Sequence, residues 1–191
     1  MTVSVARRSS PKRANANRRS RSLAPSASLA GVEQRLLAGR YELLEQLGDA
    51  TWRATDNELG REVVVRLGEA DVPGAALAHP SIQRLFDQGE ADGQRYAVLE
   101  YLPGGTLAGR GELTGAAASE LADALAYAHS VGVAHGALRA EAILFDAEGR
   151  AKLAGFRGVG EPADDVAALA ALVDRYGGTP TLIRPPAAAS P

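Results

Sequence analysis

His135-Gly136-Ala137-Leu138-Arg139-Ala140-Glu141-Ala142-Ile143-Leu144, followed by Leu153-Ala154-Gly155-Phe156-Arg157, is the stretch on which the reading of this chain turns. Ala142 to Phe145 and Ala151 to Leu153 read as a hairpin across the turn residues Asp146-Ala147-Glu148-Gly149. Just upstream, Thr114 is placed to cap a helix from about Gly115 to Ser130. Leu121, Leu125 and several alanines share one face of it, and Gly132 ends it. Downstream, Pro162 is a favoured first-turn residue of a second helix, and Asp164 and Asp165 suit the positive end of its dipole. Val166, Leu169, Leu172 and Val173 follow at helical spacing until Gly177-Gly178.

Further towards the N-terminus the pattern changes to short strands. Tyr41 to Leu47 suits a first strand ending at Gly48, and Glu62 to Leu67 is β-branched. Ile82 to Phe86 and Arg95 to Tyr101 supply two more, so four or five antiparallel strands are expected before the break at Pro103-Gly104-Gly105. The fold class is therefore α+β. Residues 1–38 are rich in Arg, Ser, Ala and Asn without apolar periodicity and read as a disordered basic arm; residues 39–175 form the domain, and 176–191 a Pro/Ala-rich tail.

Composition bounds the function classes. No Cys is present, which excludes disulfides and thiolate metal sites, and three scattered His residues are too few for a ligand cluster. Residues 1–30 hold seven cations and no acid; with the whole chain at −2, the remainder carries −9. No run of about 18 apolar residues could cross a bilayer, and the arm lacks the apolar core of a signal peptide. A cytoplasmic protein without membrane association is expected. Residues 7–21 could attract nucleic acid weakly and without sequence preference, since no aromatic is interleaved there.

In order along the chain, several motifs resemble the bacterial eukaryotic-like (Hanks-type) Ser/Thr protein kinases over about residues 39–175. Arg40-Tyr41-Glu42-Leu43-Leu44 with Leu47-Gly48 is similar to the opening strand, and His79-Pro80-Ser81-Ile82 to H-P-N-I. Tyr96 to Leu107 is similar to the fifth strand and hinge, and Leu121 to His135 to the long helix entering the catalytic loop. The resemblance implies a truncated protein-kinase-like fold, with a small antiparallel β N-lobe and a partial, mainly helical C-lobe. It also implies a nucleotide cleft touched by Gly48, Val64, Arg66, Glu100, Leu102 and Leu144. His135, Arg139, Phe156 and Asp165 stand as structural remnants of its motifs, Asp165 at the position that braces the catalytic loop.

The departures carry the functional expectation. The family has H-R-D-L-K-x-x-N and then D-F-G: an Asp near the accepting hydroxyl, with an Asn and a second Asp on magnesium. Here those positions read Ala137, Ala142 and Gly155. Gly48-Asp49-Ala50-Thr51-Trp52 replaces the Gly-rich phosphate loop. Arg66 stands for the phosphate-contacting Lys and reads either as such a contact or as a surface residue. Twelve residues between Arg66 and His79 leave no room for the helix carrying the pairing Glu. Gly155-Phe156-Arg157 runs almost directly into the next helix, so the activation segment is deleted. The expected function is a kinase-like pseudoenzyme, a binding or regulatory module for a protein partner. No catalytic residue and no metal site are expected, and at most weak, magnesium-independent ATP binding. Two alternatives are a kinase with residual activity, recruiting metal through Asp146 or Glu141, and a polyanion binder acting through the arm.

Overall fold

A computed structural model describes residues 35–68 and 72–177; the arm up to residue 34 and the tail from 178 lie outside the described residues. Six strands form one antiparallel sheet: β1 (Arg35–Leu37), β2 (Tyr41–Gly48), β3 (Thr51–Asp56), β4 (Arg61–Leu67), β5 (Leu85–Ala91) and β6 (Gln94–Glu100). Their order is β1-β2-β3-β4-β6-β5, so the chain crosses over between β4 and β5. After the sheet come α1 (Leu107–Arg110), α2 (Gly115–Ser130), a 3-10 turn at Ala140–Ala142, the hairpin β7 (Ile143–Phe145) and β8 (Ala151–Leu153), and α3 (Pro162–Tyr176).

The two long helices follow their local signals. The Thr114 hydroxyl accepts the Ala117 N–H at 3.2 Å, opening α2, and Leu121, Ala124, Leu125 and Ala128 are its buried stripe. In α3, Pro162 lies in the first turn, and Leu169 faces the core with Leu172 and Val173 partly buried. Val166 does not join them: it is 57% exposed, because it follows the inward-facing Asp165 by one residue, about 100° around the helix.

Several sequence expectations need correction. The ordered domain begins before residue 39, because Arg35–Leu37 pair with Tyr41–Leu43 as β1. It also continues past 175, since α3 runs to Tyr176 and Gly177 bridges Leu113. The strand expected at Ile82–Phe86 starts at Leu85; Ile82 instead makes a lone bridge to Leu153, tying the sheet region to the β7–β8 hairpin. Thr51–Asp56, outside the four strands named from the sequence, is a full strand paired on both sides.

Two apolar clusters hold this body together. One lies within the sheet, around Tyr41, Ala54, Val63, Val65, Tyr96 and Val98. The larger joins α1, α2, β7, β8 and α3 around Leu107, Leu121, Leu125, Ile143 and Leu153, all at or below 2% exposure. At the β3–β4 turn the fully buried Asp56 takes a two-pronged contact from Arg40, at 2.7 and 2.8 Å, and accepts the Glu58 and Leu59 amides. The Arg40 hydrogen bonds, working against burial, hold the Asp56 carboxyl down at about 2.

Candidate functional site

Between the sheet and the helical part lies a cleft of about 560 Å³, within the range of small-molecule sites. Leu47, Val64, Leu99, Leu102, Leu144 and Ala154 give it an apolar lining. Ala137, Ala142, Gly155 and the arginines Arg66, Arg139 and Arg157 line it too, with Glu141 as the one acid among the described lining residues. Of the six residues expected at a nucleotide, Gly48, Val64, Arg66, Leu102 and Leu144 lie on this cleft.

Glu100 does not. Its carboxylate takes the Lys152 ammonium at 2.6 Å and the Arg84 amide at 3.2 Å, facing a second, polar cleft. Lys152 is buried at 7%, and a buried ammonium needs such a partner, which is what draws Glu100 to that side. The Glu100 carbonyl, for its part, accepts the Gln83 amide N–H at 2.8 Å. Gln83 was not singled out from the sequence, although a polar residue interrupting the apolar run Ile82 to Phe86 was the available signal.

The floor of the cleft is a loop held from below. Asp165, 2% exposed at the start of α3, accepts the His135 N–H at 2.7 Å and the Gly136 N–H at 2.9 Å. His129, in the last turn of α2, donates its Nε2–H to the same carboxylate at 2.9 Å. Burial opposes ionisation of Asp165, but His129 and the two amides outweigh it and hold the carboxyl below its ordinary range. The neighbouring Asp164 is exposed, so the two acids do not form a pair. His135 is fully buried, packs on the Phe156 ring at 4.6 Å, donates Nε2–H to the Ala154 carbonyl at 3.1 Å and accepts the Ala137 N–H at Nδ1. Burial, partly offset by the Asp165 charge, pushes the imidazole down. Arg139 lies 3.4 Å from Glu141 at the surface.

The segment after Gly155 folds back onto this loop. Arg157 N–H bonds the His135 carbonyl at 2.9 Å and Gly158 N–H the Ala134 carbonyl at 3.2 Å. Gly136 has φ of +69°, and a Cβ there would run into the Val159 carbonyl oxygen. Only glycine fits, so the side chain expected between His and the next loop residue has been exchanged for a backbone contact. On the far side, Pro73 and Gly74 of the β4–β5 connection pack against Gly158 and Phe156. That connection is a turn over residues 73–76, with no helix among the described residues.

The hairpin β2–β3 that overlies the cleft turns tightly at Asp49-Ala50, with Gly48 paired to Thr51. Below the hinge, Gly104 packs so closely on Phe145 and the Asp146 carbonyl that no side chain fits; its N–H bonds the Phe145 carbonyl at 2.9 Å. Asp146 itself is buried and bound by the Arg150 guanidinium at 2.8 Å and the Arg150 and Glu148 amides. Its work is to close the β7–β8 turn, away from the cleft.

Comparison with known proteins decides the family. The chain is 31% identical over 192 residues to CBL-interacting protein kinase 19 of Oryza sativa, a match covering 86% of this chain and 37% of that protein. It is 31% identical over 149 residues to the DNA damage-responsive serine/threonine-protein kinase RqkA of Deinococcus radiodurans, and 28% identical over 147 residues to PrkC of Bacillus subtilis. Each of these matches covers 63% of this chain and less than a quarter of the relative. The chain is a homologue of the Ser/Thr protein kinases. The solved kinase domain of PknI from M. tuberculosis superposes with a TM-score of 0.62 at 21% identity, covering 77% of this chain and 76% of that one, which establishes the kinase fold. No protein-family model matches the chain. It spans well under half the length of these curated kinases.

Proposed function

We propose that this kinase homologue is a pseudoenzyme: a kinase-like binding or regulatory module, engaging a protein partner, that transfers no phosphoryl group. The observation carrying the reading is the composition of the cleft floor, where Ala137, Ala142 and Gly155 occupy the positions of the base and both magnesium ligands. Phosphoryl transfer is mostly positioning and charge neutralisation by metal ions. Magnesium is held by one or two carboxylates together with phosphate oxygens. Methyl groups and a hydrogen supply neither donor nor proton acceptor, and the one acid among the described lining residues, Glu141, is engaged with Arg139. The described residues of the cleft do not fit magnesium.

The missing helix between β4 and β5 supports the same reading. A turn over residues 73–76 stands in its place among the described residues. The one feature favouring residual kinase activity is that Glu141 does line the cleft; Glu141→Gln should then matter to transfer.

A thermal-shift titration of the full chain with ATP, with and without Mg²⁺, tests the proposal. A ligand at 100 times its dissociation constant stabilises by about 2.7 kcal/mol. Magnesium is expected to add nothing to whatever shift ATP gives. A large shift that requires Mg²⁺ would overturn the reading.

A further inference from the structure

The second cleft, which Glu100 faces, has a volume of about 780 Å³, and the pseudoenzyme reading gives it no role. Among its lining residues is a serine that the fold uses only through its backbone. Ser81 is 5% exposed. Its N–H bonds His79 Nδ1 at 3.1 Å, and its carbonyl accepts the Leu153 N–H at 2.9 Å. Its hydroxyl has no partner among the described residues, although every fully enclosed side-chain nitrogen and oxygen described has one. The hydroxyl therefore opens onto the cleft. A polar group buried to this degree is normally satisfied, so one left open points to an acceptor or donor from outside the fold.

The groups around it are unspent in the same way. Lys152, 7% exposed, gives one of the three donors of its ammonium to Glu100. Arg84 gives its backbone N–H to the other Glu100 oxygen, and its guanidinium has no partner among the described residues. The remaining acids of the lining come from another element. Glu120 and Asp123, one turn apart on α2, are both exposed, and neither has an ion pair among the described residues.

We infer that this second cleft binds a free amino acid with a basic side chain. The ligand carboxylate accepts from the Ser81 hydroxyl, the spare Lys152 donors and Arg84. Its α-ammonium lies against Glu100, whose carboxylate has lone pairs beyond the two contacts it makes. Its side-chain cation is taken by Glu120 and Asp123. A simple anion would meet three carboxylates here, and a simple cation would leave the Ser81 and Lys152 donors unused. The inference does not depend on the pseudoenzyme reading, because the two clefts share no described lining residue.

The test titrates L-lysine into the isotope-labelled full chain and follows amide shifts. Saturable shifts are expected at Ser81, Arg84 and Lys152, and none at Ala137 or Gly155 in the first cleft. Three analogues each lack one charge: 1,5-diaminopentane the carboxylate, norleucine the side-chain cation, and Nα-acetyl-lysine the α-ammonium. Diaminopentane should bind at least about tenfold more weakly, the scale of lost charge-assisted hydrogen bonds. The other two should bind about fivefold more weakly, the scale of an exposed ion pair. Ser81→Ala should weaken lysine by about tenfold and keep the parent thermal transition, since its hydroxyl holds nothing within the fold. Arg84→Ala, at an exposed position, should cost about fivefold. Glu120→Gln with Asp123→Asn should weaken lysine but leave norleucine unchanged.

Binding of lysine that survives both Ser81→Ala and Arg84→Ala would overturn the inference. So would shifts centred on Ala137 and Gly155, or no saturable shift at millimolar lysine. Diaminopentane binding as well as lysine would reduce the site to a cation on surface acids, and norleucine binding as well would remove Glu120 and Asp123 from it. Nα-acetyl-lysine binding as well would exclude a free amino acid as the ligand being read. Each of these results contradicts the proposal.

Discussion

The two sides of the loop from His135 to Leu144 differ in what has been kept. On the buried side, His135, Phe156 and Asp165 are each below 10% exposure and joined by ring packing and hydrogen bonds of 2.7 to 3.1 Å. On the cleft side, Ala137, Ala142 and Gly155 carry no polar side-chain group at all. The buried groups satisfy backbone amides and fill volume, so they stabilise the loop. The cleft groups of a kinase do chemistry on a ligand, and the fold does not need them. Frame and chemistry are therefore separable within ten residues of one another.

The comparison breaks most visibly on the buried side. Gly136→Ala combines a strained φ with collision against the Val159 carbonyl, and should destabilise by roughly 4 kcal/mol. Restoring an arginine at this position should be worse still. Asp165→Ala leaves the His135 and Gly136 amides and the His129 ring without their acceptor, and about 3 kcal/mol is expected. Urea denaturation followed by circular dichroism measures both. Losses below 1 kcal/mol would show that the loop is not held in this way.

Acid provides a graded version of the same test. Because burial favours neutral His135, the unfolded chain binds more protons in the window below the ordinary imidazole value of 6.5. This contribution to stability is therefore complete above about pH 6.5 and is lost as pH falls towards the depressed folded value. Asp165, held below its ordinary value, adds a loss of the same sign below the ordinary 3.8. Asp56 continues it down to about 2. Urea midpoints measured from pH 8 to 5 should fall in the parent and stay flatter in His135→Phe. Equal slopes would remove His135 from the account.

Parts of this architecture were legible before any coordinates. Thr114, Pro162 and the Asp146–Gly149 turn carry strong local signals, and α2, α3 and the β7–β8 hairpin begin and end within a residue or so of where these predict. The order of kinase-like motifs gave the family and fold. Strand β1 was hidden because Arg35-Leu36-Leu37 follows a long Arg/Ser-rich run and has no alternation of its own. Strand β5, Leu-Phe-Asp-Gln-Gly-Glu-Ala, is held by pairing with β6 rather than by propensity. Around the cleft, the contacts that the sequence does not disclose are long-range: Gln83 to the Glu100 carbonyl, Lys152 to the Glu100 carboxylate, and His129 to Asp165. Each joins residues at least 17 positions apart, and no local pattern encodes such a pairing.

The cleft side should tolerate change. Ala137→Asp and Ala142→Asn, which return the loop's polar groups, are expected to alter stability by no more than about 1 kcal/mol, since neither position braces the backbone. A much larger loss would mean that these alanines belong to the frame.

Phosphoryl transfer itself tests the central claim most directly. The full chain is incubated with γ-labelled ATP, Mg²⁺ or Mn²⁺ and generic protein substrates, beside a variant carrying Arg66→Ala and Arg139→Ala. The account predicts no incorporation into substrate or chain beyond that of the variant. Incorporation clearly above the variant would contradict it, and would mean that catalytic groups other than those at 137, 142 and 155 serve this cleft.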